Sequence, residues 1–342
     1  MIDLKEYNVA IAGATGAVGS VFLSILEERG FPVKNLLPLA SIKSAGKKIK
    51  FKGEELEVRE LKKDSFKNID LALFSAGASR SIEFAQHAVA SGAVVVDNSS
   101  AFRMDPDIPL IIPEVNPDDV LKHKGIIANP NCSTIIMVVA LKPIYDISRI
   151  KRIVVSTYQA VSGAGAKGIV ELEDQTKKII FGHEEEVKCE TFPFRIAFNV
   201  IPHIDVFLDN GYTKEEMKMV YETRKILSDN DIKISATTVR VPVFTSHSES
   251  VSIETERKIT VAECRAALSM APGIILKDDF KNKVYPTPLD SSGRDDVFVG
   301  RLREDISSQN GICFWCVGDQ LRKGAALNAI QIAEVMIEKG II

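Results

Sequence analysis

The sequence predicts an α/β fold in two parts, a parallel sheet flanked by helices and then a strand-rich α+β part. Three observations predict it. Short apolar runs alternate with helical stretches early in the chain, which implies right-handed βαβ units and a parallel sheet. After Asn129 the strands become longer and more amphipathic, and the helices lie apart from them. The length of 342 residues suits two domains of about 150 residues each.

Residues 7–12 are apolar and partly β-branched, a strand. The turn Gly13-Ala14-Thr15-Gly16-Ala17-Val18-Gly19 follows. Residues 20–29 then place Val21, Phe22, Ile25 and Leu26 at helical spacing, and Gly30 stops the helix. Residues 35–40, 69–74 and 93–96 read as further strands, with a helix over 81–90. Residues 47–61 alternate charged and apolar side chains and predict an antiparallel hairpin. Beyond Asn129 the patterns predict strands at 153–159, 234–243, 250–255 and 311–317. They predict helices at 167–181, 214–227 and 261–270. A strong amphipathic helix over 324–339 could pack back on the first domain, so the expected division is 1–129 with 322–342, and 130–321. No repeat, coiled-coil run or low-complexity tract interrupts this order.

Composition excludes several classes. Hydrophobic residues make up 45% and charged residues 26%, as in ordinary globular proteins. The net charge of -3, from 43 basic and 46 acidic residues, gives no general reason to bind nucleic acid. The longest strongly apolar run, residues 135–141, is far short of the roughly 20 residues of a membrane helix. Residues 1–6 lack a basic region followed by an apolar one, so no signal peptide is expected. Five cysteines without a framework spacing suggest free thiols in a reducing cytoplasm.

A strand that ends in closely spaced glycines and opens into a helix suits a phosphate. The glycines let backbone N–H groups approach, and the helix start adds partial positive charge. The spacing at Gly13, Gly16 and Gly19 is G-x-x-G-x-x-G. This is a Rossmann-type arrangement for a dinucleotide, although a tight turn without ligand would look alike. NAD sites usually carry an acid at the end of the second strand. Residues 39–48 hold none. Ser41, Lys43 and Ser44 could instead neutralise a 2′-phosphate, which favours NADP over a merely solvated basic loop.

Asn129-Pro130-Asn131-Cys132-Ser133-Thr134 precedes the apolar run 135–141. Pro130 breaks the chain, and polar residues suited to capping predict a helix beginning near Cys132. A thiol there feels the positive end of the helix dipole, and its pKa is expected below about 8.5. A thiolate can attack an aldehyde, and hydride loss then leaves a thioester. A lone cysteine is more commonly a buried structural one; the upstream glycine loop tips the balance. His247 has the right pKa range for proton transfer with a thiol, though a lone histidine is more often structural. His87 and His203 have no comparable setting. Thr213 and Glu216 have the spacing of a capping box, which leaves Glu215 and Lys218 sharing one helix face. Cys313 and Cys316 lie in a strand-like stretch and should point to opposite faces, so no metal site is expected. Glu184-Glu185-Glu186 reads as a solvated turn.

These segments resemble the bacterial aspartate-β-semialdehyde dehydrogenase family. The resemblance runs collinearly from Gly13–Gly19 through Leu39-Ala40-Ser41, Ser99-Ser100-Ala101-Phe102-Arg103 and Asn129–Thr134. It continues through Tyr158–Gly165, Arg240-Val241-Pro242-Val243, His247-Ser248-Glu249-Ser250 and Gly318–Ala326. It implies NADP-dependent reductive dephosphorylation of L-aspartyl-4-phosphate to L-aspartate-4-semialdehyde, a step toward lysine, threonine, methionine and diaminopimelate. It implies Cys132 as thioester nucleophile, His247 as acid/base and Gln159 as the group orienting substrate. Arg240 would take the substrate carboxylate, an arginine fork being suited to it. Arg103, with Asn131 and Lys218, would take the phosphate, and Glu215 the ammonium. Thr15, Ala17, Val18, Ala40, Ser162, Gly163 and Gln320 would join Gly13, Gly16, Ser41, Lys43 and Ser44 at NADP. The second domain would form a homodimer, or a tetramer built from it. Rival readings are N-acetyl-γ-glutamyl-phosphate reductase, malonyl-CoA reductase, and a non-catalytic NADP-sensing protein.

Overall fold

The computed structural model describes residues 5–342; residues 1–4, part of the stretch read above as carrying no signal peptide, lie outside the described residues. The chain divides into two compact units, Met1–Asn131 with Ala325–Ile342, and Cys132–Gly324.

In the first unit β1 (Tyr7–Ala12) leads into α1 (Ala17–Glu28) and β2 (Val33–Ala40). Then come β3 (Lys48–Phe51), β4 (Glu54–Glu57), β5 (Arg59–Glu60), β6 (Leu71–Phe74), α2 (Ala78–Ala90), β7 (Val94–Asp97) and β8 (Ile126–Ala128). The sheet order is β5-β2-β1-β6-β7-β8, and every pairing in it is parallel. Such a sheet is covered on both faces, which is why β6 is apolar and buried at every position. The hairpin expected over 47–61 is β3 with β4. Helix α1 begins at Ala17, ahead of the expected Ser20, because Gly19 sits in its first turn against the loop. A Cβ at Gly19 would stand 2.2 Å from the Gly13 carbonyl oxygen. The C-terminal helix Leu327–Glu338 belongs to this unit and buries Leu327, Ile330 and Met336 in one cluster with Phe22, Ile25 and Leu26. Each such side chain contributes about 1.5–3 kcal/mol when taken out of water.

The second unit runs through α3 (Cys132–Ile147), β9 (Ile150–Gln159), α4 (Ala166–Ile180), α5 (Lys214–Ile226), β10 (Lys233–Arg240), β11 (His247–Thr255), α6 (Val261–Met270), β12 (Ile274–Leu276), α7 (Pro288–Ser291), β13 (Val297–Glu304) and β14 (Gly311–Gly318). Its mixed sheet has the order β10-β9-β11-β14-β13-β12. Helix α3 packs on β9, β11, β13 and β14 and touches α5 and α6, so the helices cover one face. On the other face Tyr158, Ser250, Ser252, Cys313 and Trp315 remain half-buried or exposed. Cys316 is buried on the helix side and Cys313 is not, as their spacing predicts. Strand β10 ends at Arg240 rather than Val243, because Pro242 has no N–H for a ladder. Strand β11 starts at His247 rather than Ser250. The sequence pattern does not announce β8, β12 or β13. β8 and β12 have 3 residues each, too few to show a period. β13 is interrupted by a register shift after Gly300, with Arg301 at φ 57°.

Candidate active site

Cys132 is the first residue of α3, a helix of 16 residues whose stretch from Ser133 to Leu141 is buried throughout. An all-round buried helix cannot slide or rotate without opening the core, so the sulfur has a fixed seat. The thiol is half-buried. The partial positive charge at a helix start favours its thiolate. Backbone from another turn closes on it: a Cβ at Gly324 would lie 2.9 Å from Cys132 Cβ.

His247 is fully buried at the start of β11. Its Nδ1 accepts the Ala160 backbone N–H at 3.1 Å. Nε2 is buried and has no hydrogen-bond partner among the described residues. A neutral ring in this setting carries its proton at Nε2, so proton exchange is confined to that atom. Burial, and then the Arg240 charge, hold the imidazole well below its ordinary pKa. Arg240, at the end of β10, donates from Nη1 to the Ala160 carbonyl at 2.6 Å and lies over the Phe192 ring at 5.8 Å. Burial lowers its pKa, opposed by the charges of Glu215 and Cys132. A guanidinium stays protonated under such pressure, so Arg240 is a buried cation whose charge favours a Cys132 thiolate. Gly163 lets these groups meet: a Cβ there would stand 2.7 Å from Arg240 Nη1 and 3.3 Å from His247 Nε2.

Gln159, buried at the end of β9, points its amide at Thr157 Oγ1 (3.3 Å) and Glu215 Oε1 (3.4 Å). The capping box exists as the sequence predicts. Thr213 Oγ1 accepts from Glu216 N–H, and Glu216 accepts from Thr213 N–H at 2.7 Å and Thr238 N–H at 3.0 Å. Glu216 is thereby held by the backbone, and Glu215 is left to pair with Lys218 Nζ at 2.9 Å. Lys218 also reaches Asp205 at 2.8 Å. Burial opposes its charge, but the two carboxylates outweigh that and hold its pKa above the ordinary value. Ser162 and Gln320 are buried and hydrogen-bonded to each other.

In the first unit the end of β1 opens on a cleft of about 260 Å³ lined by Gly13, Thr15, Gly16, Ala40, Ser41, Leu61, Ser75, Ala76 and Arg80. Gly13 has φ 95°, and a Cβ there would strike the Ser75 carbonyl at 2.4 Å. No side chain caps α1, so its first N–H groups are available to an anion. These features fit a dinucleotide pyrophosphate. Ala17 and Val18 form the first turn of α1, while Lys43 and Ser44 stand on the short helical turn after β2, outside the cleft lining. Leu61, Ser75, Ala76 and Arg80 carry no signal in the sequence itself. Their signal is topological: β6 lies beside β1, so the turn after it borders the same cleft. Arg103 is buried and donates to the carbonyls of Asn129 (2.9 Å) and Asn98 (2.8 Å). Asn131 is buried and directly precedes Cys132. The acidic turn 184–186 is exposed. Its Glu185 and Glu186 lie with His183 within 4.8 Å of one another, all exposed. No helix among the described residues is long and apolar enough to cross a membrane.

A glycine-turn dinucleotide unit, together with a unit that seats a cysteine at a helix start and holds a buried histidine and arginine, is the build of a nicotinamide-dependent dehydrogenase. Residues 8–123 match the semialdehyde dehydrogenase NAD binding domain, and residues 141–323 match the semialdehyde dehydrogenase dimerisation domain. An aspartate-semialdehyde dehydrogenase of Aquifex aeolicus is 60% identical over 98% of this chain and 99% of its own. The crystal structure of aspartate semialdehyde dehydrogenase II from Vibrio cholerae, complexed with ASA, superposes with a TM-score of 0.95 at 50% identity, covering 98% of this chain and 99% of that one. An aspartate semialdehyde dehydrogenase with NADP from Candida albicans has a TM-score of 0.76 at 27% identity, covering 99% of this chain and 100% of that one. The chain belongs to the aspartate-semialdehyde dehydrogenase family, enzymes of amino-acid biosynthesis that use a nicotinamide cofactor.

Proposed function

We propose that this chain converts L-aspartyl-4-phosphate to L-aspartate-4-semialdehyde and phosphate through a thioester on Cys132, with NADP as its cofactor. One observation carries the reading. Within a single unit, Cys132 opens a buried helix, and the buried Arg240 and His247 meet over Gly163, where a Cβ would stand 2.7 Å from Arg240 Nη1 and 3.3 Å from His247 Nε2.

The chemistry follows from these groups. The Cys132 thiolate attacks the acyl carbon; an S–C bond forms and the C–O bond to phosphate breaks. A reduced nicotinamide dinucleotide, its pyrophosphate held by the Gly13, Thr15 and Gly16 turn, would supply the hydride that reduces this carbon to the aldehyde level. The oxyanion that results is stabilised by the proton at His247 Nε2, and its collapse breaks the S–C bond, frees the aldehyde and restores the thiolate. Arg240 holds the substrate carboxylate, Glu215 the ammonium, and Gln159 the orientation of the chain. Arg103, Asn131 and Lys218 are assigned to the phosphate.

NADP is supported by the cleft at the end of β1. It contains no acid, and Arg80 is the cation in its lining. Residues 1–129 with 322–342 are assigned to the cofactor, and 130–321 to catalysis and dimerisation. The half-exposed face of the second sheet, where Tyr158 and Trp315 meet at 5.3 Å, is the surface offered to a second copy. None of the five cysteines is in a disulfide, which suits a cytoplasmic enzyme.

A substrate panel tests the assignment. NADP reduction should require phosphate and aspartate semialdehyde, with no turnover of N-acetylglutamate semialdehyde. Turnover of the latter would move the chain to the related acyl-phosphate reductases. Cys132→Ala should bind NADP and not turn over; nucleotide binding without turnover in the wild type would instead mark a sensor.

A further inference from the structure

We infer that Asp205 is a positioning residue that sets the preference of this site for a substrate with an amino group: by sharing Lys218 with Glu215, it leaves Glu215 to take the substrate ammonium. This rests on the assignment of Glu215 to the ammonium and of Lys218 to the phosphate. All three side chains belong to the second unit.

Lys218 Nζ lies 2.8 Å from Asp205 Oδ2 and 2.9 Å from Glu215 Oε2. Glu215 and Lys218 stand one turn apart on α5, a spacing at which such a pair forms within the helix itself. Their side chains are 7% and 18% exposed, and opposite charges attract more strongly out of water. With no third group the pair would close on itself, and a substrate ammonium would reach Glu215 only by breaking it. Asp205 supplies the competing carboxylate. It divides the hold on Lys218 and lowers the cost of turning Glu215 to another cation.

Asp205 is itself held in place. It has φ 68°, a left-handed backbone that aspartate and asparagine adopt more readily than most side chains. Its Oδ1 accepts the Val206 N–H at 2.9 Å, while Oδ2 takes the lysine. The Val206 carbonyl accepts the N–H of Lys214, the first residue of α5, at 2.8 Å. The exposed Lys214 adds a weaker pull on the Asp205 carboxylate. At the other end of this loop Ile201 and Arg240 exchange both backbone hydrogen bonds, at 2.9 and 2.8 Å. The loop therefore runs from the residue assigned to the substrate carboxylate to the helix assigned to the ammonium. Asp205 lies on it between those two anchors and acts on the ammonium site through Lys218.

The experiment measures the KM for aspartate semialdehyde and the inhibition constant of succinic semialdehyde against it, at saturating NADP and phosphate. Succinic semialdehyde has the same chain and carboxylate without the ammonium, so the ratio of the two constants isolates recognition of the amino group. The variants are Asp205→Asn, Glu215→Gln, Lys218→Met, and Asp205→Asn combined with Lys218→Met. Asparagine tolerates the left-handed φ and can still accept from Val206 N–H, but it has no charge to draw Lys218 away. Asp205→Asn should raise the KM for aspartate semialdehyde about tenfold, the scale of one charge-assisted contact. The inhibition constant of succinic semialdehyde should stay within about twofold, because the binding lost is that of one substrate group. In the Lys218→Met background the same substitution should leave the ratio unchanged, since no lysine remains to close on Glu215. An unchanged ratio in Asp205→Asn, while Glu215→Gln shifts it, would overturn the inference. So would a rise of both constants together, the mark of a general structural role. A shift that persists in the Lys218→Met background would overturn it too, by putting Asp205 in direct contact with the ammonium. A ratio that Glu215→Gln leaves unchanged would instead remove the assignment beneath the inference.

Discussion

Alanine at position 324 would press directly on the nucleophile's seat. Its Cβ would stand 2.9 Å from Cys132 Cβ and 3.3 Å from Cys132 Cα, where ordinary contact begins at 3.4 Å. Neither atom can rotate away, because both belong to the first residue of a helix whose body is buried. Gly324 is not in the left-handed region, so the backbone accepts alanine and the contact alone decides the outcome. The two contacts call for a shift of about 0.5 Å in the start of α3 or in the turn. A misplacement of about 1 Å costs about 100-fold in rate, so half of it predicts about a tenfold loss, equivalent to about 1.4 kcal/mol of barrier. Single-turnover acylation measured by rapid quench reads this directly, with iodoacetamide alkylation of Cys132 as an independent check and NADP affinity unchanged. Acylation at the wild-type rate in Gly324→Ala would refute the claim that this turn seats the sulfur.

Other outcomes follow from the same geometry. Because burial and Arg240 hold His247 well below the ordinary imidazole value of 6.5, the unfolded chain takes up a proton that the fold refuses. Stability should therefore fall as pH drops below 6.5, and His247→Asn should flatten the fall in melting temperature; an unchanged slope would contradict this. Glu249 is fully buried, with Cys316 Sγ at 3.9 Å, and burial raises its pKa well above 4.5. Its stabilising neutral form is present at low pH and lost as pH rises through the raised value. Glu249→Gln should remove the fall in stability that sets in as pH rises above 4.5 and should lower stability at neutral pH by no more than about 1 kcal/mol; a large drop at neutral pH would show that the carboxylate is needed. Arg80→Gln should raise KM for NADPH about tenfold or more, the loss of one charge-assisted contact, with little change for NADH. Equal effects on both nucleotides would place Arg80 elsewhere than at a 2′-phosphate.

Local chemistry makes much of this molecule legible in its sequence. The run into Gly13, the helical spacing of Val21 to Leu26 and the capping box at Thr213 are decided within a few residues, and all three are present. The apolar stretch after Cys132 likewise announces α3. Harder to see is β13, whose alternation is broken where Arg301 takes a left-handed φ to pass a bulge. His247 stands out as an imidazole but not as the first residue of a strand, because Pro242 and the left-handed Ser246 mask the onset of β11. The contacts made by Ala160 and Gln320 are out of reach altogether. They use backbone atoms and an amide brought together from three distant segments, and no residue type betrays such a meeting. Ser75 and Arg80 join the cofactor cleft for a similar reason, since only strand order sets β6 beside β1.

The most direct measurement is mass spectrometry of enzyme mixed with aspartate semialdehyde and NADP and quenched after one hydride transfer, phosphate being withheld so that the thioester is not opened. A four-carbon aspartyl group should appear at Cys132, on the tryptic peptide from Gly125 to Arg149, Pro143 protecting the bond after Lys142. An enzyme that reduces one equivalent of NADP while that peptide stays unmodified, or that carries the group on another residue, would contradict the account.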